Sequence, residues 1–505
     1  MLSTIQSAAV TGLSCELVRV ETDITTGFPS FSVVGMPDIA VREAKERIRS
    51  AIKNSGYEFP YNHRIVINLA PSSVKKVGSV FDLPMALGVM LSTGACPTPP
   101  VRSLFVGELA LDGSVRFTKG ILPITIFARE HNIEQLYIPK ANVEEAVMIK
   151  GISIIPLEHL RELVEHLKGE KKLEAIPQGA VPRANTQHAS QHDFAHIKGQ
   201  ETAKRALEIA AAGGHNVLLS GVPGAGKTLL ARSLPSILPP MTEQEILDVT
   251  KIYSVAGLLQ QDKPLVTERP FRAPHHSASR TALIGGGTTP RPGEVSLAHR
   301  GVLFLDELPE FPRSVTESLR QPLEDGSVTI SRAQETVAYP ARFMLVASRN
   351  PCPCGYLYDS KKQCICLPQQ VINYEQRISG PMLDRIDIHL DVARVEVEKL
   401  ASHTGAEPSD AVRERVTQAR NIQTQRFSTG TTTNAEMSAQ DIKKYCVLDA
   451  ESARMLHQAV DKLHLSARAY YRVLKVARTI ADLSAQEKIQ HEHVAEALQY
   501  RPRNE

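Results

Sequence analysis

No apolar run in the 505-residue sequence is long enough to cross a bilayer, and the N-terminus lacks the basic segment and apolar core of a signal peptide. We therefore expect no membrane partner. Neither sign of charge dominates: the chain has 58 Lys and Arg and 55 Asp and Glu, which gives a net charge of +3. Nucleic-acid binding depends on clustered charge, so this balance permits such a partner without requiring it. The absence of an internal repeat excludes repeat architectures.

Cysteine is scarce: the chain has seven, an odd number, and four of them lie between residues 352 and 366. A disulfide framework is not expected in a chain of this length, so the sequence predicts a location in the reducing cytoplasm. The length also exceeds what one compact core holds, which predicts two to four domains.

The hydrophobic pattern predicts four regions. Residues 1–166 alternate short β-branched runs with helical patterns, which is typical of an α/β domain. Residues 167–192 lack apolar periodicity and are predicted to be a linker. Residues 193–395 alternate buried-looking strands with helices, which predicts a parallel sheet covered on both faces, and residues 396–505 predict a helical lid. The lid helices are predicted at Ala411–Arg426, Ala439–Tyr445, Ala450–Leu463, Ala467–Leu483 and His491–Tyr500.

The segment GVPGAGKT fits the phosphate-binding pattern G-x-x-x-x-G-K-[ST], follows the strand-like NVLLS and precedes a helix start. Backbone N–H groups and a helix N-terminus there would cradle phosphates, with Lys227 at the β/γ oxygens and the Thr228 hydroxyl on Mg²⁺. A chance glycine-rich turn is the alternative. The predicted loop consists of Gly221, Val222, Pro223, Gly224, Ala225, Gly226, Lys227 and Thr228.

Two further strands end in polar residues. GVLFLDE ends in Asp306, expected to hold Mg²⁺ through water, and Glu307, expected to polarise the attacking water. The strand that contains RFMLVAS ends at Asn350, which could position that water against the γ-phosphate, the role called sensor 1. The alternatives are an acidic turn for the carboxylates and an ordinary turn former for the asparagine.

Two arginines are candidates for phosphate contacts. Arg385, in GPMLDRIDIHL, could project from one subunit into its neighbour's site and stabilise charge on the transferring phosphoryl group. Arg468 starts a lid helix and could contact the γ-phosphate as sensor 2. A surface ion pair is the alternative for each.

Together, IKGQETAKRALEIAAAGGHNVLLSGVPGAGKT, FRAPHHSAS, RPGEVSLAHRGVLFLDELPEF, NPCPCG and ISGPMLDRIDIH resemble the ComM/YifB branch of the magnesium-chelatase-like AAA+ group. The resemblance covers essentially the whole chain, although ASRN stands where AxMN is more usual. It implies a homohexamer that acts as a DNA helicase and drives branch migration during natural transformation. The implied partners are single-stranded and branched DNA and recombination proteins. The resemblance implies the roles described in the preceding paragraphs for these residues: Lys227, Thr228, Asp306, Glu307, Asn350, Arg385 and Arg468.

The expected fold class is α/β, with an AAA+ P-loop domain, a helical lid and an N-terminal domain that resembles the proteolytic domain of Lon (ribosomal S5 domain 2-like). Ile124 stands where Lon carries its catalytic lysine, and an aliphatic side chain cannot deprotonate a serine. Ser–Lys peptidase chemistry is therefore not expected. Ser72, Ser73, Lys75 and Lys76 are expected to be turn and surface residues.

Two segments are candidates for DNA binding. Ser327–Ala338 predicts a hairpin whose tip carries Arg332, which could hold a phosphate; a solvated tip is the alternative. Phe271–Pro292 contains Arg272, Arg280 and a glycine-rich stretch, which predicts a mobile basic loop. Since no base-reading module is evident, DNA binding is expected to be sequence-independent and salt-sensitive.

Four cysteines form a C-x-C…C-x-C pattern, tighter than the usual C-x₂-C of zinc sites. Four thiolates on two short turns suit tetrahedral Zn²⁺ as a structural clip; four reduced cysteines packing a loop are the alternative. The candidate ligands are Cys352, Cys354, Cys364 and Cys366.

The leading functional hypothesis is a hexameric ATP-dependent DNA translocase that promotes branch migration in homologous recombination. Two alternatives stay open at this stage. One is a protein-remodelling ATPase that resembles the motor subunit of magnesium chelatase, and the other is a scaffold for recombination proteins that uses ATP as a switch.

Overall fold

The computed structural model divides the chain into two compact units. The N-terminal unit comprises Met1–Arg183 and Ile246–Val266, and the C-terminal unit comprises Ala184–Glu245 and Thr267–Glu505. The structure describes residues 2–177, 192–260, 263–287, 290–331, 336–359, 361–395, 406–427, 432–463 and 466–502.

The N-terminal unit is built around two sheets. The larger sheet has the order β1-β2-β4-β3, with antiparallel pairs except for β3 and β4, which run parallel. The smaller sheet has three parallel strands in the order β5-β8-β9, and a short hairpin joins β6 to β7. The strands are β1 (Leu2–Thr11), β2 (Ser14–Thr26), β3 (Ser30–Val34), β4 (His63–Ala70), β5 (Ser103–Phe105), β6 (Glu108–Leu109), β7 (Val115–Arg116), β8 (Gln135–Pro139) and β9 (Ser153–Leu157).

The helices of this unit bury apolar faces against the sheets. Ile124, at the position of the Lon lysine, is fully buried in an apolar cluster. Ser72, Ser73 and Lys75 are exposed as expected, but the expectation of a surface position for Lys76 is wrong. Its side chain is fully buried, its ammonium donates a hydrogen bond to the carbonyl of Pro71, and burial lowers its pKa. The helices are α1 (Ile39–Asn54), α2 (Asp82–Ser92), α3 (Ile121–Glu130), α4 (Val143–Ala146) and α5 (Leu160–Lys168).

A segment from the middle of the chain completes the N-terminal unit. Ile246–Val266 follows the predicted phosphate-binding loop in sequence, yet it packs within the N-terminal unit and carries most of helix α8 (Glu243–Ala256). Its Ser254 hydroxyl donates a 2.9 Å hydrogen bond to Glu145. Burial raises the pKa of Glu145 to about 7, although hydrogen bonds from Asn142 and Ser254 oppose the shift.

The C-terminal unit contains a five-stranded sheet in which all neighbours are parallel, in the order β11-β14-β17-β10-β18. Its inner strands read VLLS and VLFL without alternation because helices cover both faces. This arrangement confirms the expected mixed α/β fold class. The strands are β10 (Val217–Ser220), β11 (Phe271–Arg272), β14 (Val302–Leu305), β17 (Met344–Arg349) and β18 (Ile388–Asp391).

Two antiparallel strand pairs belong to this unit besides the parallel sheet. The predicted hairpin is present, with β15 (Ser327–Ser331) antiparallel to β16 (Thr336–Pro340), but its tip and Arg332 lie outside the described residues. The interpretation of Phe271–Pro292 as a loop was wrong in its described part: Ser279 caps a short helix, and β12 (Gly285–Gly286) pairs with β13 (Arg291–Pro292). The helices around the sheet are α6 (Glu201–Gly213), α7 (Lys227–Ile237), α9 (Arg280–Ile284), α10 (Glu294–Leu297), α11 (Arg313–Ser318), α12 (Arg320–Asp325), α13 (Pro368–Glu375) and α14 (Gly380–Leu383).

Five C-terminal helices pack on the sheet through a shared apolar core and a buried polar network. His215 contacts Thr479 Oγ1 at 2.8 Å, and the Asp387 carboxylate pairs with Arg472. Burial alone would raise the pKa of Asp387, but Arg472 and His215 hold it below its ordinary value. No helix in the described part of the chain is long and apolar enough to span a membrane. The helices are α15 (Ser409–Phe427), α16 (Ala439–Tyr445), α17 (Ala450–Leu463), α18 (Ala467–Leu483) and α19 (His491–Gln499).

Glu145 makes the stability of the N-terminal unit depend on pH. An unfolded carboxyl releases its proton near pH 4.5, whereas folded Glu145 keeps it to about pH 7. Between these two pH values the folded state holds a proton that the unfolded state has released. The free energy of unfolding should therefore fall by about 3 kcal/mol as the pH rises through this range. Glu145→Gln should remove that slope in thermal unfolding of the full chain followed by circular dichroism. Glu144→Gln, a change at the exposed neighbour, should keep the slope; equal slopes in all three proteins would contradict the prediction.

Candidate functional site

The phosphate-binding loop connects β10 to helix α7. The N–H of Gly221 donates to the carbonyl of Arg349 at 3.2 Å, and a side chain at Gly221 would lie 2.4 Å from the carbonyl oxygen of Val392. Gly224 and Gly226 have φ values of +76° and +94°, which other L-residues rarely adopt. The glycines are therefore required both by close packing and by the shape of the loop.

Lys227 joins this loop to the next strand of the sheet. Its ammonium donates to the carbonyls of Gly221 and Val222 at 2.6 and 3.1 Å, and to Asn350 Oδ1 at 3.0 Å. Burial lowers the pKa of Lys227, and the carboxylates of Asp306 and Glu307 oppose that shift. The carboxyl ends of β10, β14 and β17 thus bring together the loop lysine, the paired carboxylates and the asparagine.

The two carboxylates differ in environment. Thr228 Oγ1 donates to Asp306 Oδ2 at 3.1 Å, so the two oxygens expected to hold Mg²⁺ are adjacent. Glu307 is exposed and has a φ of +54°, a left-handed conformation that is strained for a residue with a side chain. This turn directs the chain away from the strand directly after Asp306.

Ser348 is a further residue of the site that the sequence analysis did not single out. Its hydroxyl donates to Asp306 Oδ1 and accepts the N–H of Glu307 at 2.9 Å, so it supports both carboxylate-bearing residues from the neighbouring strand. The side chain is fully buried. The available sequence signal was its position two residues before Asn350.

The two candidate arginines lie at the opposite edge of the same sheet. Arg385 and Arg468 both pair with the carboxylate of Glu324, the latter at 3.4 Å. The carbonyl of Arg385 accepts a 3.0 Å hydrogen bond from Asn216, which precedes β10, whereas the phosphate-binding loop follows β10. Four strand residues span ~13 Å. The single chain therefore does not bring these arginines to its own Lys227.

The candidate DNA-binding arginines have different surroundings. Arg272 donates two hydrogen bonds to Glu294, at 2.6 and 2.8 Å, so a phosphate would have to displace a bidentate ion pair. Arg280 is exposed at the start of helix α9. Arg332 lies outside the described residues.

The four cysteines form one cluster. Cys352 Sγ lies 3.4 Å from Cys354 Sγ and 3.7 Å from Cys364 Sγ, and the last two sulfurs are 3.6 Å apart. All four sulfurs, including that of Cys366, lie within 4.8 Å of one another. Backbone N–H groups lower the pKa of the Cys354 thiol to about 6. Cys352 is buried and lies two residues after Asn350 in the sequence.

Comparison with known families covers most of the chain. Residues 193–400 match the family described as magnesium chelatase, subunit ChlI; residues 20–142 match subunit ChlI of Mg-chelatase; and residues 406–501 match the C-terminal part of subunit ChlI. The parallel sheet, the loop and its paired carboxylates, and the helical lid define a magnesium-chelatase-like AAA+ protein.

Relatives that match the full length of the chain identify its family within this class. The chain is 43% identical over 509 residues to competence protein ComM of Haemophilus influenzae, covering 99% of this chain and 97% of the relative. It is 41% identical over 503 residues to the uncharacterized protein YifB of Escherichia coli K12, with the same coverage. The chain therefore belongs to the ComM/YifB family. The magnesium-chelatase 67 kDa subunit of Heliobacterium mobile is 30% identical over 186 residues, 31% of this chain and 28% of that subunit.

Ser348→Ala should destabilise the C-terminal unit, because the N–H of Glu307 and the carboxylate of Asp306 each lose a hydrogen bond. The expected loss is about 1–3 kcal/mol, measured by denaturant unfolding followed by circular dichroism. Ser233→Ala is the matched control, since the buried Ser233 hydroxyl donates to Leu229 within its own helix and its loss should cost less. Equal unfolding midpoints for wild type and Ser348→Ala would contradict this role.

Proposed function

We propose that the protein hydrolyses ATP with Mg²⁺ as a ring of six identical subunits and uses the energy to move DNA, promoting branch migration in homologous recombination during natural transformation. The observation that carries the proposal is the contact of Lys227 with Asn350 beside Thr228 and Asp306, at one edge of the parallel sheet. Full-length similarity to a protein named competence protein ComM supports the link to transformation.

In the proposed reaction each residue acts through its chemistry. The backbone of Gly221–Gly226 and the ammonium of Lys227 bind the phosphates. Thr228 directly and Asp306 through water would hold Mg²⁺, which would neutralise charge that develops on the phosphates. Glu307 orients and polarises the attacking water, and Asn350 positions that water against the γ-phosphate. The single chain has the parts for binding, whereas Arg385 and Arg468 lie at the other end of the parallel strands.

The arginines support a ring. Arg385 and Arg468 share Glu324 at the amino edge of the sheet, and we propose that both serve a site on another copy of the chain. A neighbour whose carboxyl edge faces this surface would receive two positive charges at its γ-phosphate. A ring of such contacts uses the same pair of surfaces at every interface.

The proposed track is single-stranded and branched DNA, held by its phosphates and hence without sequence preference. The hairpin of β15 and β16 precedes β17, which ends one residue before Asn350, and we propose that a change at the nucleotide reaches the hairpin through β17. Arg332 and Arg280 are the proposed phosphate contacts, with Arg272 as a contact that requires release from Glu294. Recombination proteins are proposed as further partners.

A protein-remodelling ATPase is the second candidate, and one observation favours it. The chain is similar to the magnesium-chelatase 67 kDa subunit over about a third of its length. In that case the same nucleotide site would act on a protein partner, and DNA would not change its rate.

ATP hydrolysis should rise on addition of single-stranded or branched DNA, and branched duplexes should be unwound. Glu307→Gln should bind ATP but hydrolyse it about 100-fold more slowly, because the carboxylate that polarises the water is lost. Glu310→Gln, three residues along and exposed, is the matched control and should stay near wild type. Stimulation without unwinding would favour the recombination scaffold, and indifference to DNA would favour protein remodelling.

Mixed rings test whether the arginines act between subunits. Arg385→Ala and Glu307→Gln proteins should each be nearly inactive, yet a mixture should regain part of the wild-type ATPase rate. The regained ATPase activity would come from interfaces where one variant supplies an intact Glu307 and the other supplies an intact Arg385. Arg468→Ala should behave like Arg385→Ala. A mixture with no more activity than its components would overturn action in trans. The control is Arg377→Ala, which changes an exposed arginine paired with Glu310.

The four cysteines are the proposed site of one structural Zn²⁺, outside the hydrolysis reaction.

A further inference from the structure

The cysteine loop is attached to the nucleotide site at two points. The first is Asn350, which accepts the hydrogen bond of Lys227 and lies two residues before the buried Cys352. The second is Gly355, where an added Cβ would lie 2.6 Å from Pro223 Cγ, so the backbone of the cysteine loop packs directly on the phosphate-binding loop. A change in the shape of the cysteine loop would therefore move Asn350, Pro223 or both.

The loop has little apolar packing to fix that shape. Tyr358, Ile365 and Leu367 are 80%, 85% and 66% exposed, so these three large side chains do not form a core. Cys352 is the member of the cluster that is fully buried. A segment of this kind needs cross-linking by something other than hydrophobic burial.

The sulfur geometry fits one Zn²⁺ ion. Four thiolates at 2.3 Å from a tetrahedral zinc lie about 3.8 Å from one another, close to the three separations of 3.4, 3.6 and 3.7 Å. A disulfide would require about 2.05 Å. Backbone N–H groups also point at the sulfurs, from Leu357 to Cys352 at 3.3 Å and from Cys354 to Cys366 at 3.4 Å. Such hydrogen bonds stabilise the negative charge of metal-bound thiolates.

We propose that Zn²⁺ bound by the four cysteines sets the conformation of the nucleotide site, so that zinc and ATP bind cooperatively. The ion holds the turn from Asn350 to Gly355 against Lys227 and Pro223, and losing it releases both contacts. The inference rests on the proposed ATP binding and adds a condition to it. Linkage makes the coupling reciprocal: zinc must tighten nucleotide binding, and nucleotide must tighten zinc binding by the same factor.

The first test measures zinc and nucleotide binding separately on the full-length protein. We expect one zinc per chain by elemental analysis. Its removal with a chelator selective for zinc over magnesium should weaken binding of a fluorescent ATP analogue at least about fivefold, the lower range of allosteric coupling. Added Zn²⁺ should restore the affinity and added Mg²⁺ should not. Cys364→Ser should behave like the chelated protein, and Cys15→Ser, outside the cluster, should behave like wild type.

The second test changes the contact and leaves the ligands in place. Gly355→Ala should retain zinc but weaken analogue binding, because the new methyl group would displace Pro223. Gly169→Ala is the matched control, since Gly169 has φ +79° against +83° for Gly355 and nothing within 4 Å of an added Cβ. Circular dichroism checks that both variants are folded.

The outcomes separate the inference from the proposed function. Absence of zinc after purification and resupply, or equal analogue affinity with and without zinc, would overturn the inference while ATP binding stands. Wild-type affinity in Gly355→Ala would overturn the Pro223 contact as its route. Failure of the untreated, zinc-loaded protein to bind any ATP analogue would instead overturn the proposed function, and the inference with it.

Discussion

The hydrogen bond from Lys227 to Asn350 is the contact on which the site depends, because it joins the end of the loop after β10 to the residue that follows β17. The lysine is held from one side by carbonyls of its own loop, and the asparagine is held from the other by the turn into the cysteine cluster. Burial lowers the pKa of Lys227, and nearby carboxylates keep the charged form favourable. The ammonium of Lys227 thus links its own loop to the asparagine that precedes the cysteine cluster.

The parallel sheet separates the charges of the site into two edges. Carboxylates and the lysine lie at the carboxyl edge, whereas Arg385 and Arg468 lie with Glu324 at the amino edge. A strand of four residues spans ~13 Å, so the two sets of groups lie at different ends of the strands within one chain. The proposed ring follows from this separation, since a second copy supplies what the first holds on its far side.

The lid is fixed to the amino edge by buried charges as well as by apolar packing. Asp387 receives Arg472 from the lid and the N–H of Asn216 beside the sheet, and its carboxylate stays ionised through these partners. Burying such a pair gives limited net stability but makes the loss of either partner costly. The arrangement therefore defines one position of the lid helix that carries Arg468. A movement of the lid would change the surface offered to a neighbouring subunit.

The sequence by itself determined the elements with strong local signals: the lid helices at Ala439–Tyr445, Ala450–Leu463 and Ala467–Leu483, the phosphate-binding loop and the parallel sheet. Periodicity and glycine spacing are local properties, so they can be read without the fold. Only the tertiary structure decided that Ser348 supports the carboxylates, that Lys76 is buried, that Ile246–Val266 joins the N-terminal unit and that Arg385 and Arg468 share Glu324. Each of these depends on which residues distant in sequence become neighbours, and that is fixed by strand order and packing.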